Sequence, residues 1–326
     1  MVLISSTLGR HLSAAVAFVF FLGVEAMPLS SFTNVTGRGV ADVKRASAAP
    51  PYWVTYQDKT AAVAGPPDPS TIKGFNVFNL AFYLSTGAFD QAAVWANMGA
   101  AQRSTIKTQY AAAGIKLMVS AFGSTEQPTT AGLDPTTLAN AIGQFVVNND
   151  LDGVDVDYED LTAITNGSGG EAWLITFTKQ LRTVLPKGQY IITHAPLAPW
   201  FSPSRWAGGG YLKVHQEVGD LIDWYNVQFY NQGTDYTTCD GLLNTSSGTY
   251  PQSAVFQIAA SGVPLNKIVI GKPGVPADAG SGYMEPAILA GCLATAKAQG
   301  WSAGAMMWEY PDADASWINT VRGSAF

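Results

Sequence analysis

Asp152-Gly153-Val154-Asp155-Val156-Asp157-Tyr158-Glu159 is the stretch on which the fold turns. Alternate residues of a β-strand point to the same face. Asp155, Asp157 and Glu159 therefore share one face, and Val154, Val156 and Tyr158 share the other. Three carboxyl groups on one side of an apolar strand repel one another and desolvate poorly, so some must hold protons or accept strong hydrogen bonds at neutral pH. Such a cluster belongs to acid–base chemistry more often than to stability. Asp152 has the opposite parity and reads as structural. Gly153 is read as leaving room in the tapering interior of the fold. A calcium loop is the competing reading, but it needs glycine at its sixth position and solvated spacers. Counted from Asp155 the sixth residue is Asp160, and the spacers are Val156 and Tyr158.

Short apolar runs flank this strand at regular intervals. Strands are predicted over 52–56, 77–83, 116–121, 153–158, 190–195, 224–230, 267–271 and 303–308. Helical patterns lie between them at 102–113, 135–148, 171–185, 253–261 and 284–299. Asp134 before Pro135 is an N-cap with proline at the first helical position. Gly114, Pro186 and Gly300 supply stops. Eight strands alternating with helices imply a parallel sheet with right-handed crossovers. The predicted fold is α/β, a single (β/α)8 TIM barrel without a large insertion domain. An open doubly wound sheet would carry a glycine-rich phosphate loop after its first strand, whereas Tyr56-Gln57-Asp58-Lys59 stands there.

The first 45 residues read as processing segments. Arg10 and His11 precede the apolar run 12–24, and Val24-Glu25-Ala26 is a small-x-small cleavage site, the pattern of a signal peptide over 1–26. The run is too short to span a bilayer. Residues 27–45 end in the dibasic pair Lys44-Arg45 and read as a propeptide, against the alternative of a linker carrying two solvated charges, which leaves 46–326 as one catalytic barrel. The expectation is a secreted, extracellular monomer with no membrane association after signal cleavage. The formal net charge is −6. Residues 1–45 hold Arg10, Arg38, Lys44 and Arg45 against Glu25 and Asp42, so the remainder is more acidic still. Nucleic acid is a poor partner for it. Nine Trp and thirteen Tyr suit a neutral ligand with flat apolar faces, such as a sugar. The two cysteines, Cys239 and Cys292, favour one disulfide in an oxidising compartment. They are too few for zinc, and neither a metal nor a cofactor is expected. Asn34, Asn166 and Asn244 head glycosylation sequons.

On the fourth of eight strands, Glu159 falls at the C-terminal end, where such barrels keep their active sites. Here the chain resembles glycoside hydrolase family 18, whose acidic motif it matches over Asp152, Gly153, Asp155, Asp157 and Glu159. Gln228-Phe229-Tyr230-Asn231 on the sixth strand matches the family's Gln-x-Tyr-Asn. Trp308 ends the eighth strand as the family's floor tryptophan does, and Asn79-Leu80-Ala81-Phe82 resembles its second strand. One departure stands out. The family's Ser-x-Gly-Gly reads Ser120-Ala121-Phe122-Gly123 here, with Phe122 in place of the first glycine.

The resemblance implies substrate-assisted chemistry, an exception to the two-carboxylate scheme, with the sugar's own N-acetyl oxygen as nucleophile. It gives Glu159 the role of general acid and then base. Asp157 would orient and stabilise the N-acetyl group, Asp155 would share a proton with Asp157 and tune it, and Tyr230 would hydrogen-bond the acetyl oxygen. Gln228, Asn231, Trp308 and Phe82 would bind substrate. The implied partner is an N-acetylglucosamine polysaccharide or a glycoprotein glycan, cut by an endochitinase or by an endo-β-N-acetylglucosaminidase acting on the chitobiose core. A catalytically silent lectin on the same barrel is the reading from another class; such proteins lose the equivalent of Glu159 or its partners, all present here. His194 is read either as lining the cleft or as a buried, hydrogen-bonded histidine. Trp200, Trp206, Trp224, Tyr52 and Tyr56 are read either as sugar platforms or as core.

Overall fold

The computed structural model describes residues 48–58 and 65–326. The predicted signal peptide, the propeptide with its dibasic site and the Asn34 sequon lie outside them. Nine strands run along the chain: β1 (Tyr52–Gln57), β2 (Val77–Leu84), β3 (Gly87–Ala88), β4 (Lys116–Phe122), β5 (Gly153–Asp157), β6 (Ile191–His194), β7 (Trp224–Gln228), β8 (Ile268–Pro273) and β9 (Gly304–Trp308). β3 folds back antiparallel onto the end of β2. The other eight are parallel, in the order β1-β9-β8-β7-β6-β5-β4-β2, and β1 pairs with β2 to close the ring. That last pairing separates a barrel from an open doubly wound sheet. No large insertion domain interrupts the repetition among the described residues.

The predicted strands and helices recur with ends shifted by a few residues. Asp134 caps the helix Pro135–Asn148 by accepting the Thr137 N–H. The hairpin strand β3 and the helix Asp90–Asn97 were not expected. Two residues show no alternation, and Gly99 interrupts the helical pattern before Ala100–Ala112. Cys239 and Cys292 are disulfide-bonded, joining the short helix Cys239–Leu243 to the helix Pro286–Ala298.

Register decides what the barrel interior contains. In-register residues of parallel neighbours point the same way. Asp155 pairs with Ser120 on one side and Thr193 on the other, and Thr193 pairs with Trp224. These side chains form a belt inside the ring. Val154, Val156 and Tyr158 turn outward and are fully buried under the helices. Tyr158 packs on Trp173 of the helix Gly170–Val184 and shares a 2.7 Å hydrogen bond with Thr129. Asp152 stays outside, where it accepts from Lys107 Nζ at 2.5 Å and from the Leu117 N–H at 2.8 Å. It pins β5 to β4 and to the helix Ala100–Ala112, and takes no part in the interior.

The space beside Gly153 is taken by the neighbouring backbone. A Cβ there would lie 2.1 Å from the Ile191 carbonyl oxygen of β6. Backbone in a closed ring cannot move aside cheaply. Gly153→Ala should therefore lower stability by about 1–3 kcal/mol, the usual cost of overpacking. Urea unfolding of the two proteins reads this directly, and an unchanged midpoint would contradict it.

Candidate active site

Four strands deliver hydrogen bonds to a single carboxylate. Asp155 Oδ1 accepts from Thr193 Oγ1 at 2.5 Å and Asn226 Nδ2 at 2.9 Å. Its Oδ2 accepts from Tyr56 Oη at 2.8 Å and Ser120 Oγ at 3.0 Å. Asn226 also donates to Tyr56 Oη and accepts from Trp224 Nε1. Burial raises the Asp155 carboxyl above its ordinary range, and the four donors oppose that rise. With both oxygens so occupied, Asp155 shares no hydrogen-bonded proton with Asp157. This corrects the expectation from the resemblance: its influence on Asp157 is coulombic.

One layer above, Asp157 accepts from Gln228 Nε2 at 2.9 Å, and the same amide donates to the Ala195 carbonyl. Glu159 lies two residues further, just past the end of β5 and partly exposed. Burial lifts Asp157 well above the usual carboxylate range, and the neighbouring Glu159 and Asp155 charges add to the lift. Burial also raises Glu159, against a hydrogen bond from Gln228. The two titrate as a pair that retains a proton when isolated carboxyls would have lost theirs. Tyr230 is buried beside them. Its burial, then the Asp157 and Glu159 charges, hold its phenol well above the ordinary value, so it stays a donor.

A cavity of about 270 Å³ opens above these groups. Asp157, Glu159, Gln228, Tyr230, Asn231, Trp308 and Phe82 all line it. The sequence-derived set is thus gathered in one place, with Asp155 beneath it. The rings of Phe82 and Trp308 stack at 5.8 Å and 23° and form an apolar floor. Asn231 differs from expectation in one respect: it lies beyond β7, exposed, with φ 64°, and its Oδ1 accepts the Gly280 N–H. It ties two loops at the rim. Among the described residues, no group of three or more His, Cys, Asp or Glu is arranged to hold a metal ion.

Several groups were not singled out from the sequence. Ser120, Thr193 and Asn226 support Asp155, and strand parity offered the signal: Asn226 stands two residues before Gln228 on the same face. Asp58, Phe89, Asp90, Ser124, Thr125 and Asp278 also line the cavity. Asp58, Phe89, Ser124 and Thr125 lie on loops, Asp90 opens the helix Asp90–Asn97 and Asp278 ends a single 3-10 turn, positions where no periodicity reports direction. His194 is fully buried, hydrogen-bonded to Thr178 and Tyr211, and pushed down to about 3 by burial and by Arg182. It stays neutral and does not line the cleft. Trp224 and Trp200 are core: Trp224 stacks on Tyr52 at 3.9 Å, and Trp200 on Tyr211 at 5.8 Å. Half-buried Trp206 bonds the Pro199 carbonyl and packs on Arg205. Tyr56 is a donor to Asp155, not a platform. The Asn166 and Asn244 side chains are both exposed.

Phe122 resolves differently from its place in the alternation. In register with Asp157 it would point inward. Its φ of 78° breaks the alternation, and its ring packs outward between Trp173 and Phe177 at 5.7 and 5.6 Å. It is fully buried and lines no part of the cavity. Phe122→Ala should cost about 3–5 kcal/mol, as truncation of a buried ring does. Chemical denaturation measures the cost; a loss below 1 kcal/mol would contradict the packing described.

The carboxyl pair makes a second testable statement. In the unfolded chain, Asp and Glu titrate near 4. Above that pH the unfolded chain is ionised while the fold still holds its proton. Stability contributed by the pair therefore falls as pH rises from about 4 through the raised folded range. Asp157→Asn removes this repulsion and leaves an acceptor for Gln228. It should melt higher than the parent at pH 7, with the gain shrinking toward pH 4. Thermal unfolding at both pH values checks it; an equal or lower melting temperature at pH 7 contradicts it.

No protein-family model matches the chain. A class III chitinase from Arthroderma benhamiae is 28% identical over 219 residues, 64% of this chain and 56% of the relative. The chain spans about half the length of the curated relatives it matches, or less. A family GH18 chitinase structure from Pseudoalteromonas aurantia superposes with a TM-score of 0.65 at 29% identity, covering 83% of this chain and 99% of that one. A fungal endo-β-N-acetylglucosaminidase of the same family gives 0.62 at 19% identity over 83% and 96%, a likeness of fold alone. The barrel, the acidic strand and these likenesses together support glycoside hydrolase family 18 as the family this chain resembles.

Proposed function

We propose that the protein is a secreted retaining glycosidase that cuts internal β-1,4 bonds beside N-acetylglucosamine, with chitin as its polymer. The observation that carries this reading is the Asp157–Glu159 pair, kept partly protonated at the floor of one cavity with Tyr230 and the Phe82–Trp308 floor. Two carboxyls standing apart in water would both be ionised near neutral pH and could not protonate a leaving oxygen. Here burial raises both carboxyls and so favours holding a proton, and Glu159, the more exposed member, stands where a glycosidic oxygen can reach it.

In the proposed sequence Glu159 gives its proton to the glycosidic oxygen as the C1–O bond breaks. The substrate's acetamido oxygen attacks C1 from the other face and closes an oxazolinium ring. Asp157, ionised at this stage, accepts the acetamido N–H and balances the positive charge. The Tyr230 hydroxyl donates to the acetamido oxygen and holds it toward C1. Water then attacks C1 from the face the leaving group vacated, losing a proton to Glu159, as the bond from C1 to the acetamido oxygen breaks and the ring reopens to the acetamide. Two inversions retain the anomeric configuration. The cavity is small for an oligosaccharide, so neighbouring sugars would lie along its rim. That suits cleavage within a chain.

Secretion rests on the leader pattern of residues 1–26 and accords with the disulfide. The chitinase reading follows the names of the relatives. Glu159→Gln should lower kcat on chitin oligomers by about 10²–10⁴-fold, the usual contribution of a positioned acid, and leave oligomer binding in place. Activity persisting in that variant sinks the mechanism. Wild-type protein that binds chitin oligomers without cutting them would point to a lectin. Faster release of glycan from a high-mannose glycopeptide than from chitin oligomers would make the enzyme an endo-β-N-acetylglucosaminidase.

A further inference from the structure

Lys272 is a fully buried lysine on β8 with no carboxylate partner among the described residues. Gly271 beside it faces the barrel interior, in register with Met306. Lys272 therefore points the other way, beneath the loops that follow β7 and β8. Its Nζ donates to the carbonyl oxygens of Phe229 at 2.7 Å, Tyr236 at 2.7 Å and Gly282 at 3.1 Å. An ammonium has three N–H bonds, and here all three are used on backbone. Burial pushes the group down to about 7, and accepting carbonyls favour the charged form of a buried amine.

The three carbonyls belong to segments that surround Tyr230. The Phe229 carbonyl is half of the peptide unit leading into Tyr230, so its hydrogen bond sets the plane from which the phenol departs. Gly282 has φ 92°, and a Cβ there would meet Tyr230 Cα at 2.6 Å. The loop of Gly282 thus backs directly onto the Tyr230 main chain. Ser281 accepts the Asn231 N–H with its carbonyl and the Gly233 N–H with its hydroxyl. Tyr236 closes the excursion, its ring set edge-on to Phe229 at 5.2 Å. Without an ammonium at the centre, three buried carbonyls would lose their donor together.

We propose that Lys272 is a positioning residue for Tyr230: its ammonium fixes the Phe229–Tyr230 peptide and the Gly282 loop so that the phenol meets the acetamido oxygen. The assignment rests on the substrate-assisted reading above. Its effect belongs in kcat, because Tyr230 acts on a group that becomes a nucleophile in the transition state.

A double-mutant cycle tests it. Lys272→Met, Tyr230→Phe and the double variant are compared with wild type for kcat and KM on chitin oligomers, with circular dichroism reporting the fold. The expected result is a kcat for Lys272→Met at least tenfold lower, a KM changed less than threefold, and a double variant within twofold of Tyr230→Phe. If Lys272→Met slows the Tyr230→Phe protein by the same factor as wild type, the residue is merely structural and the proposal is overturned. Should Lys272→Met not fold, Lys272→Gln, which keeps two donors, enters the same cycle under the same criterion. If wild type is inactive on every N-acetylglucosamine oligomer, the functional reading fails instead. The cycle is then read on oligomer affinity by tryptophan fluorescence, where equal factors again overturn the Lys272 assignment.

Discussion

Asp155 accepts a hydrogen bond from each of four other strands, and the placing of every group in the cleft depends on that convergence. Tyr56 comes from β1, Ser120 from β4, Thr193 from β6 and Asn226 from β7. A buried carboxyl with fewer donors would take up a proton or drag in water. With four, each worth roughly 1.5–3 kcal/mol when the acceptor is charged, the acid can be buried at the barrel axis. The donors are then not free to move. Strands already joined by ladder hydrogen bonds and apolar packing are also held to one point, which favours the observed register of β5 against β4 and β6.

The layer above inherits this order. Asp157 is one strand repeat beyond Asp155, and Gln228 is one repeat beyond Asn226. The Gln228–Asp157 bond is therefore the upper rung of a ladder whose lower rung is Asn226–Asp155. The rungs differ in charge state. Asp155 is met by four donors and Asp157 chiefly by one, and Asp157 feels both Asp155 and Glu159. Proton retention is thereby moved upward, toward the open end of the barrel. A site of this kind trades stability for reactivity: the repulsion that makes an acid available to a ligand is also a cost to the fold.

Much of this was legible in the sequence because strands report direction. Eight apolar runs gave the barrel, and parity within Asp152–Glu159 separated the inward carboxyls from Asp152, which the structure pairs with Lys107. The same parity would have nominated Ser120, Thr193 and Asn226, had neighbouring strands been aligned on Asp155. Loop residues carried no such signal. Asp58, Phe89 and Asp278 reach the cavity from segments whose course is set by local turns and by contacts far away in the chain. Trp200 and Trp224 illustrate a second limit. An aromatic residue has the same composition signal in a core as on a sugar-binding face, and only the interior position of Trp224, stacked on Tyr52, separates the two.

Phe122 and Gly123 show how backbone conformation, more than residue size, decides what a cleft wall will tolerate. Both have positive φ, at 78° and 82°. At Phe122 that conformation turns the side chain out of the barrel into the helix layer, so a large ring replaces a glycine without entering the cleft. The strain of a non-glycine residue there, of order 1–3 kcal/mol, is offset by burying the ring against Trp173 and Phe177. At Gly123 the same conformation points the other way in consequence. A Cβ there would lie 3.0–3.1 Å from three atoms of the Phe82 ring, which is itself stacked on Trp308. The second glycine of the pair is thus held by the cleft floor, whereas the first is free to become whatever the outer core can pack.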